Sequence, residues 1–374
     1  MRILHVIPSL QLGGAERLSL DICQELSTRK EHEVMLVTLQ EKVEHDISRV
    51  NFPIKSIDSI YIPSITGKPT VRLSNWEKLV ESFKPDVIHS HLFMAEMATR
   101  YHLYPHVKYF SHCHDNMHQL QKPSFSSLFN KEKLTKLYER NWILKQYQKA
   151  NNHFIAISRD TLFYFQNNLP SNFHPKITWL PNAINTGLFE FPDRTYNSNF
   201  PKKLISIGSL IERKNHTFLL DVVKHLTDQS FSVNLQILGR GNELANLEQK
   251  IKNLGLEGIV SIDSSPNVAP YLRQADLYVH VAKNEPFGLV LVEAEASGLP
   301  LISLDGKGNR DLIENGKNGF LIPDENIQLF VDKIRFLLSN PADYQKFSQQ
   351  AALMSKTFDI KLYVDKLIEL YLKS

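Results

Sequence analysis

Cysteine is scarce in this sequence: 374 residues hold two, Cys23 and Cys113. Two thiols build neither a disulfide scaffold nor a four-thiolate zinc site, and both lie in apolar stretches where reduced, buried thiols are usual. A cytoplasmic chain is the expectation. Charge of one sign is lacking too, with 43 Lys and Arg against 40 Asp and Glu. So small a surplus points to no nucleic-acid partner and leaves any basic function local. No apolar run approaches the roughly 18 residues of a membrane span. The opening MRILHVIPSL has no small-residue cleavage site and leads into a glycine turn, so it reads as a first strand, not a signal peptide. The 15 glycines and 18 prolines form no low-complexity tract. A G-x-G-x-x-G fingerprint, a P-loop and an H-E-x-x-H pattern are all missing.

What is present is a repeated alternation of strand and helix. Short Val- and Ile-rich runs, each followed by a helical pattern, fall at 3–7, 34–39, 87–92, 107–112 and 154–158, and a second series at 203–209, 233–239, 259–263, 277–282 and 300–305. Runs apolar on both faces and separated by helices predict parallel sheets covered on both sides. The length is also too great for one ordinary core. The expected architecture is therefore α/β with two Rossmann-like domains, 1–187 and 204–357. The Pro-, Asn- and Ser-containing stretch 188–203 is the expected linker, and 358–374 an amphipathic closing helix. Open α/β sheets bind ligands at the carboxyl ends of their strands, so two such domains facing each other predict a central cleft fed by strand-to-helix loops.

Three of those loops are relieved by glycine. Gly13 and Gly14 stand between a strand and a helix, where a missing β-carbon lets a phosphate approach exposed N–H groups; a plain tight turn explains them equally. The stretch GSLIERKNH places Ser209, Arg213 and Lys214 after another strand. Two such cations suit a diphosphate, or are simply solvated. Gly239 and Gly241 follow the next strand. The richest segment is KNEPFGLVLVEAEASGLP, where Glu285 and Glu293 flank Phe287, Gly288 and Leu289. With a helix starting near Gly288, both carboxylates can face one ligand and accept from sugar or ribose hydroxyls, while the first N–H groups suit phosphate oxygens.

The spacing of Glu285 and Glu293, with AEASGLP, GKNGFLIP (316–323), LGGAER, SRDTLFYF, ITWLPNAINTGLF and GSLIERKN, resembles the retaining nucleotide-sugar glycosyltransferases of the GT-B fold, family 4. The resemblance spans nearly the whole chain. It implies that Lys214, with Arg213 beside it, binds the donor diphosphate, that Glu285 holds hydroxyls of the transferred sugar, and that Glu293 holds the ribose. It further implies backbone contacts from Phe287, Gly288 and Leu289, with Gly14 closing over the phosphate from the other domain, and a closing helix that crosses back to the first domain. One departure stands out, since many relatives carry Arg where this chain has Ser209; either Arg213 supplies the second cation or the diphosphate is held more weakly.

Seven of the 15 histidines fall between His89 and His118. His89 and His91 share a strand face, as do His112 and His114, but the neighbouring carboxylates have no ligand spacing and no metal is expected. The family resemblance makes His114 the residue facing sugar and acceptor, with His112 as the alternative. The basic, amphipathic segment 122–149 fits either a packed helix or a peripheral contact with an anionic membrane. The expected function is transfer of a sugar from a UDP- or GDP-sugar to a saccharide or lipid-linked acceptor, without a cofactor, in surface-polysaccharide or lipid-linked glycan synthesis. A non-catalytic sugar-nucleotide-binding protein and a GT-B epimerase are the competing readings.

Overall fold

A computed structural model describes residues 1–63, 68–123, 131–191 and 194–374. They divide into two compact units, Met1–Asn182 with Ile360–Ser374, and Ala183–Asp359.

The strands of the first unit are β1 (Arg2–Ile7), β2 (Glu33–Thr38), β3 (Ile54–Ser56), the antiparallel pair β4 (Ser59–Ile62) and β5 (Thr70–Leu73), β6 (Val87–His91), β7 (Lys108–Cys113), β8 (His153–Ala156) and β9 (Ile177–Trp179). All but β4 and β5 form one parallel sheet, ordered β3-β2-β1-β6-β7-β8-β9. Its central strands are buried on both faces even where β1 carries His5 and β6 carries His89, Ser90 and His91. Leu4, Val6, Val37 and Ile88 pack with Trp76 and Val80 in one core, while Cys113 and Phe154 pack with Met97, Ile143 and Tyr147 in another. Cys23 and Cys113 are buried free thiols. The helix Ile360–Lys373 belongs to this unit, where Asp365 accepts from Arg29 at 2.9 Å and the Tyr371 carbonyl accepts from Lys108 Nζ at 2.9 Å.

The second unit holds β10 (Lys202–Ile207), β11 (Val233–Leu238), β12 (Val260–Asp263), β13 (Leu277–His280), β14 (Leu301–Leu304) and β15 (Gly319–Ile322). They pair in parallel in the order β12-β11-β10-β13-β14-β15, over a core that includes Leu235, Ile237, Val279, Ile302 and Phe330. The described residues of the stretch 188–203, expected as a linker, are instead packed into this unit. The guanidinium of Arg194 is buried and donates to the carbonyls of Ser297 (2.6 Å), Ala275 (2.6 Å) and Leu272 (2.7 Å), and Phe189 is buried. Its loop-like composition hid the residues that anchor it, Arg194 together with Tyr196, whose hydroxyl donates to the Leu338 carbonyl at 2.7 Å.

In each sheet the chain order reverses once: between β1 and β6 in the first unit, and between β10 and β13 in the second. The helices leaving the two strands at such a point depart to opposite sides and open a crevice at their carboxyl ends. The functional loops are therefore those after β1 and β6, and after β10 and β13.

Candidate functional site

In the second unit the loop after β10 carries Arg213 and Lys214, and the loop after β13 carries Glu285. The reversal of strand order brings them together. Lys214 Nζ forms a short ion pair with Glu285 Oε2, and His280, the last residue of β13, lies with Nε2 3.1 Å from the same oxygen. Glu285 is buried, which by itself raises a carboxyl pKa; the charge of Lys214 and the hydrogen bond from His280 outweigh that and hold it well below the usual range. Burial keeps His280 below its ordinary value despite the carboxylate beside it. His216, buried next to them, is pushed down to about 4, first by burial and then by His280 and Lys214.

Gly288 ends this loop with φ at 101°, and the helix Leu289–Ala296 begins at the next residue. A β-carbon there would stand 2.7 Å from Leu291 Cδ1. Glycine is required on both counts. Glu293 lies buried one turn into the helix, and both it and Glu285 act on the buried Tyr278 hydroxyl, whose pKa burial already raises. Two carboxylates and a helix N-terminus thus converge at one sheet reversal, an arrangement suited to hydroxyls and phosphate oxygens together. Phe287 is buried against Phe358, with ring centroids 5.8 Å apart.

Other residues singled out in the sequence take different places. Arg213 is exposed, with its guanidinium 3.2 Å from the Asn284 carbonyl, and Ser209 is exposed at the same mouth. Gly239 and Gly241 serve loop packing: a β-carbon on them would come within 2.0 Å of the Gly208 carbonyl and 2.1 Å of the Leu210 carbonyl. Two further glycines escaped sequence reasoning, although DGKGN after a strand was the visible signal. Gly306 and Gly308 let the loop after β14 lie against Glu285 and Pro286, and the Gly306 carbonyl accepts from the Glu285 N–H at 2.8 Å. His280 was missed as well, because a lone histidine ending an apolar strand carries no pattern.

In the first unit the loop after β1 carries Gly13, which caps the helix Gly14–Ser27 in extended conformation, φ −163°. Its backbone does not demand glycine. The space a β-carbon would enter is taken by the Glu16 carboxylate, 2.2 Å from that position, so an anion of the protein already lies at the helix start where a phosphate was expected. His114 follows β7 and is the most accessible of five clustered histidines, at 9% exposure against 0% for His5, His89, His91 and His112. In two sets, His5/His89/His91 and His91/His112/His114, ring nitrogens lie within 4.8 Å of one another. The rings of His89 and His91 stack at 4.6 Å and 4°, and those of His112 and His114 at 4.1 Å and 12°. Stacked imidazoles send their lone pairs side by side, not to a common point, and the closest nitrogens are at hydrogen-bond length.

Of the basic segment 122–149, residues 124–130 lie outside the described residues. The helix Lys131–Lys149 turns Trp142, Ile143 and Tyr147 into the core of the first unit, while Leu134, Leu137 and Tyr138 are half-buried. Among the described residues no helix is long and apolar enough to cross a membrane.

Two family models match the chain, Glycosyltransferase Family 4 over residues 12–188 and Glycosyl transferases group 1 over residues 192–354. The chain belongs to this glycosyltransferase family. An uncharacterised glycosyltransferase of Haemophilus influenzae is 32% identical over 44% of the chain and 47% of its own length. The GtfA subunit of a UDP-N-acetylglucosamine–peptide N-acetylglucosaminyltransferase from Streptococcus gordonii is 30% identical over 42% of the chain and 33% of its own length. The matches thus span between a third and a half of these relatives. Among solved structures, HepE of Anabaena in complex with UDP-glucose superposes with a TM-score of 0.79 at 19% identity, covering 100% of both chains. The fold is GT-B.

Proposed function

We propose that the protein is a retaining, metal-independent glycosyltransferase that moves a sugar from a nucleotide diphosphate, UDP in preference to GDP, to the hydroxyl of a saccharide or lipid-linked saccharide. The observation that carries this reading is the convergence of Lys214 and His280 on Glu285 beside the glycine-started helix Leu289–Ala296. As the donor bond breaks, charge grows on the leaving diphosphate. Lys214, Arg213 and the first N–H groups of that helix supply fixed positive charge and donors where it grows. Glu285 accepts from hydroxyls of the sugar and Glu293 from the ribose. Retention follows from same-face attack, in which the departing phosphate oxygen takes the acceptor proton, so no carboxylate nucleophile is invoked. His114, in the first unit, meets the acceptor hydroxyl. The preference for UDP is supported by the names of the streptococcal relative and the Anabaena complex. A role in surface-polysaccharide or lipid-linked glycan assembly, with peripheral membrane contact near 122–149, extends the same reading.

Calorimetric titration of UDP and GDP into the full chain in EDTA tests the donor site. UDP is expected to bind more tightly than GDP. Lys214→Ala is expected to weaken UDP by about tenfold or more, the worth of one charge-assisted contact. Unchanged affinity in Lys214→Ala, or binding only after a divalent ion is added, would overturn the assignment.

A further inference from the structure

The five clustered histidines of the first unit, His5, His89, His91, His112 and His114, sort into two hydrogen-bonded runs. Neighbouring strands set them side by side, with His5 opposite His89 in the β1–β6 register and His91 opposite His112 in the β6–β7 register. Burial disfavours the charged form of each, bringing His5 to about 3 and His112 to about 4, with His89, His91 and His114 also well below the ordinary value. A neutral imidazole has one N–H and one bare nitrogen, so every ring in a run constrains the next.

The first run has a fixed direction. Asn182 Oδ1, 3.3 Å from His112 Nε2, can only accept. His112 therefore carries its proton on Nε2 and accepts at Nδ1, where His89 Nε2–H donates across 3.2 Å. His89 Nδ1 is then bare and accepts from the Tyr371 hydroxyl. The second run joins His5 Nδ1 to His91 Nε2 at 2.8 Å and His91 Nδ1 to His114 Nε2 at 2.8 Å. Its three protons must all sit on Nδ1 or all on Nε2. The ends decide between these. His5 Nε2 is buried and has no partner among the described residues, so the second choice would strand an N–H there, the rarer of the two defects in folded proteins. The first choice leaves only a bare nitrogen at His5 and puts the free N–H on His114, the ring with the greatest exposure.

We infer that His5 and His91 are positioning residues that hold His114 with its proton on Nδ1, as a hydrogen-bond donor beyond the end of β7. His114 Nε2 is occupied in accepting from His91, so this side chain donates to an oxygen and does not take a proton from one. The functional consequence rests on the glycosyltransferase reading, in which no protein base removes the acceptor proton; the tautomer itself does not.

The test is a two-bond nitrogen–proton correlation spectrum of the full chain labelled with 15N-histidine, with His114 assigned through His114→Gln. The expected result at pH 7 is a neutral His114 with the proton on Nδ1, and the same in His5→Asn, whose amide N–H replaces the donating Nδ1–H. In His5→Leu, His114 is expected to show mixed tautomers, and kcat for nucleotide release from a UDP-sugar to fall by about tenfold with KM little changed, the effect of misdirecting one hydrogen bond. His5→Asn is expected to restore kcat. A wild-type His114 protonated on Nε2 or on both nitrogens, or a folded His5→Leu with His114 still wholly Nδ1–H, would overturn the inference. If His5→Leu fails to fold, the wild-type and His5→Asn spectra decide it. If wild-type protein releases no nucleotide, the transferase reading fails while the spectra still rule on the tautomer.

Discussion

Gly13 and Gly239 both stand at strand-to-helix turns, yet they are glycine for different reasons. At Gly239 the missing β-carbon leaves room for the backbone carbonyl of Gly208, which cannot move without shifting a neighbouring loop. At Gly13 the neighbour is the far end of the flexible Glu16 side chain, and φ is extended. Gly239→Ala is therefore expected to cost about 1–3 kcal/mol of stability, the usual range for overpacking. Gly13→Ala should stay within about 0.5 kcal/mol, as for a surface change. Urea denaturation of the two variants checks this; equal losses would show that the loop after β10 yields more readily than its contacts indicate. The same distinction governs Glu285. Its type and its distance from Glu293 were legible in the sequence, but its pairing with Lys214 and His280 arises only when β10 and β13 become neighbours.

At the scale of elements, ten of the strands were legible because short Val- and Ile-rich runs, most of them largely buried, each precede a helical pattern. Those missed are short, such as β3 and β9 with three residues each, or alternate partly exposed positions, as β4 does. Such strands present no run long enough to read. The histidine cluster illustrates the same limit: the i, i+2 pairs His89/His91 on β6 and His112/His114 at the end of β7 were visible, whereas His5 stands alone in β1 and joins them only through register. That cluster carries a pH prediction. Each of the five has a folded pKa below its unfolded value, so between the two the unfolded chain binds more protons and stability rises with pH. Stability should therefore be complete above about pH 6.5, the ordinary histidine value, and fall as pH drops below it, by up to about 1.4 kcal/mol per pH unit for each histidine. Trp76, Trp142 and Trp179 all lie in the first unit, so tryptophan fluorescence reports on that unit alone. Its urea midpoint should decline steeply from pH 7 to pH 5; a flat midpoint would mean that the imidazoles remain charged or solvated.

On the scale of the whole molecule, two parallel sheets each reverse their strand order once, and in the second unit Lys214 and Glu285 meet in the loops at that reversal. The fold was legible because it repeats one pattern twice. The position of 188–203 was not, since its packing depends on Arg194 reaching three carbonyls far along the chain. The central claim is that the Lys214–Glu285 site turns over a sugar nucleotide using the protein's own cations. The most direct measurement is nucleotide release from a panel of UDP- and GDP-sugars by the full chain in EDTA, alongside Lys214→Ala and Glu285→Ala. Release from one donor is predicted, reduced about 100-fold or more in both variants, as for the loss of a group that stabilises developing charge. No release from any donor with UDP binding intact, or release that needs a restored divalent ion, would contradict it.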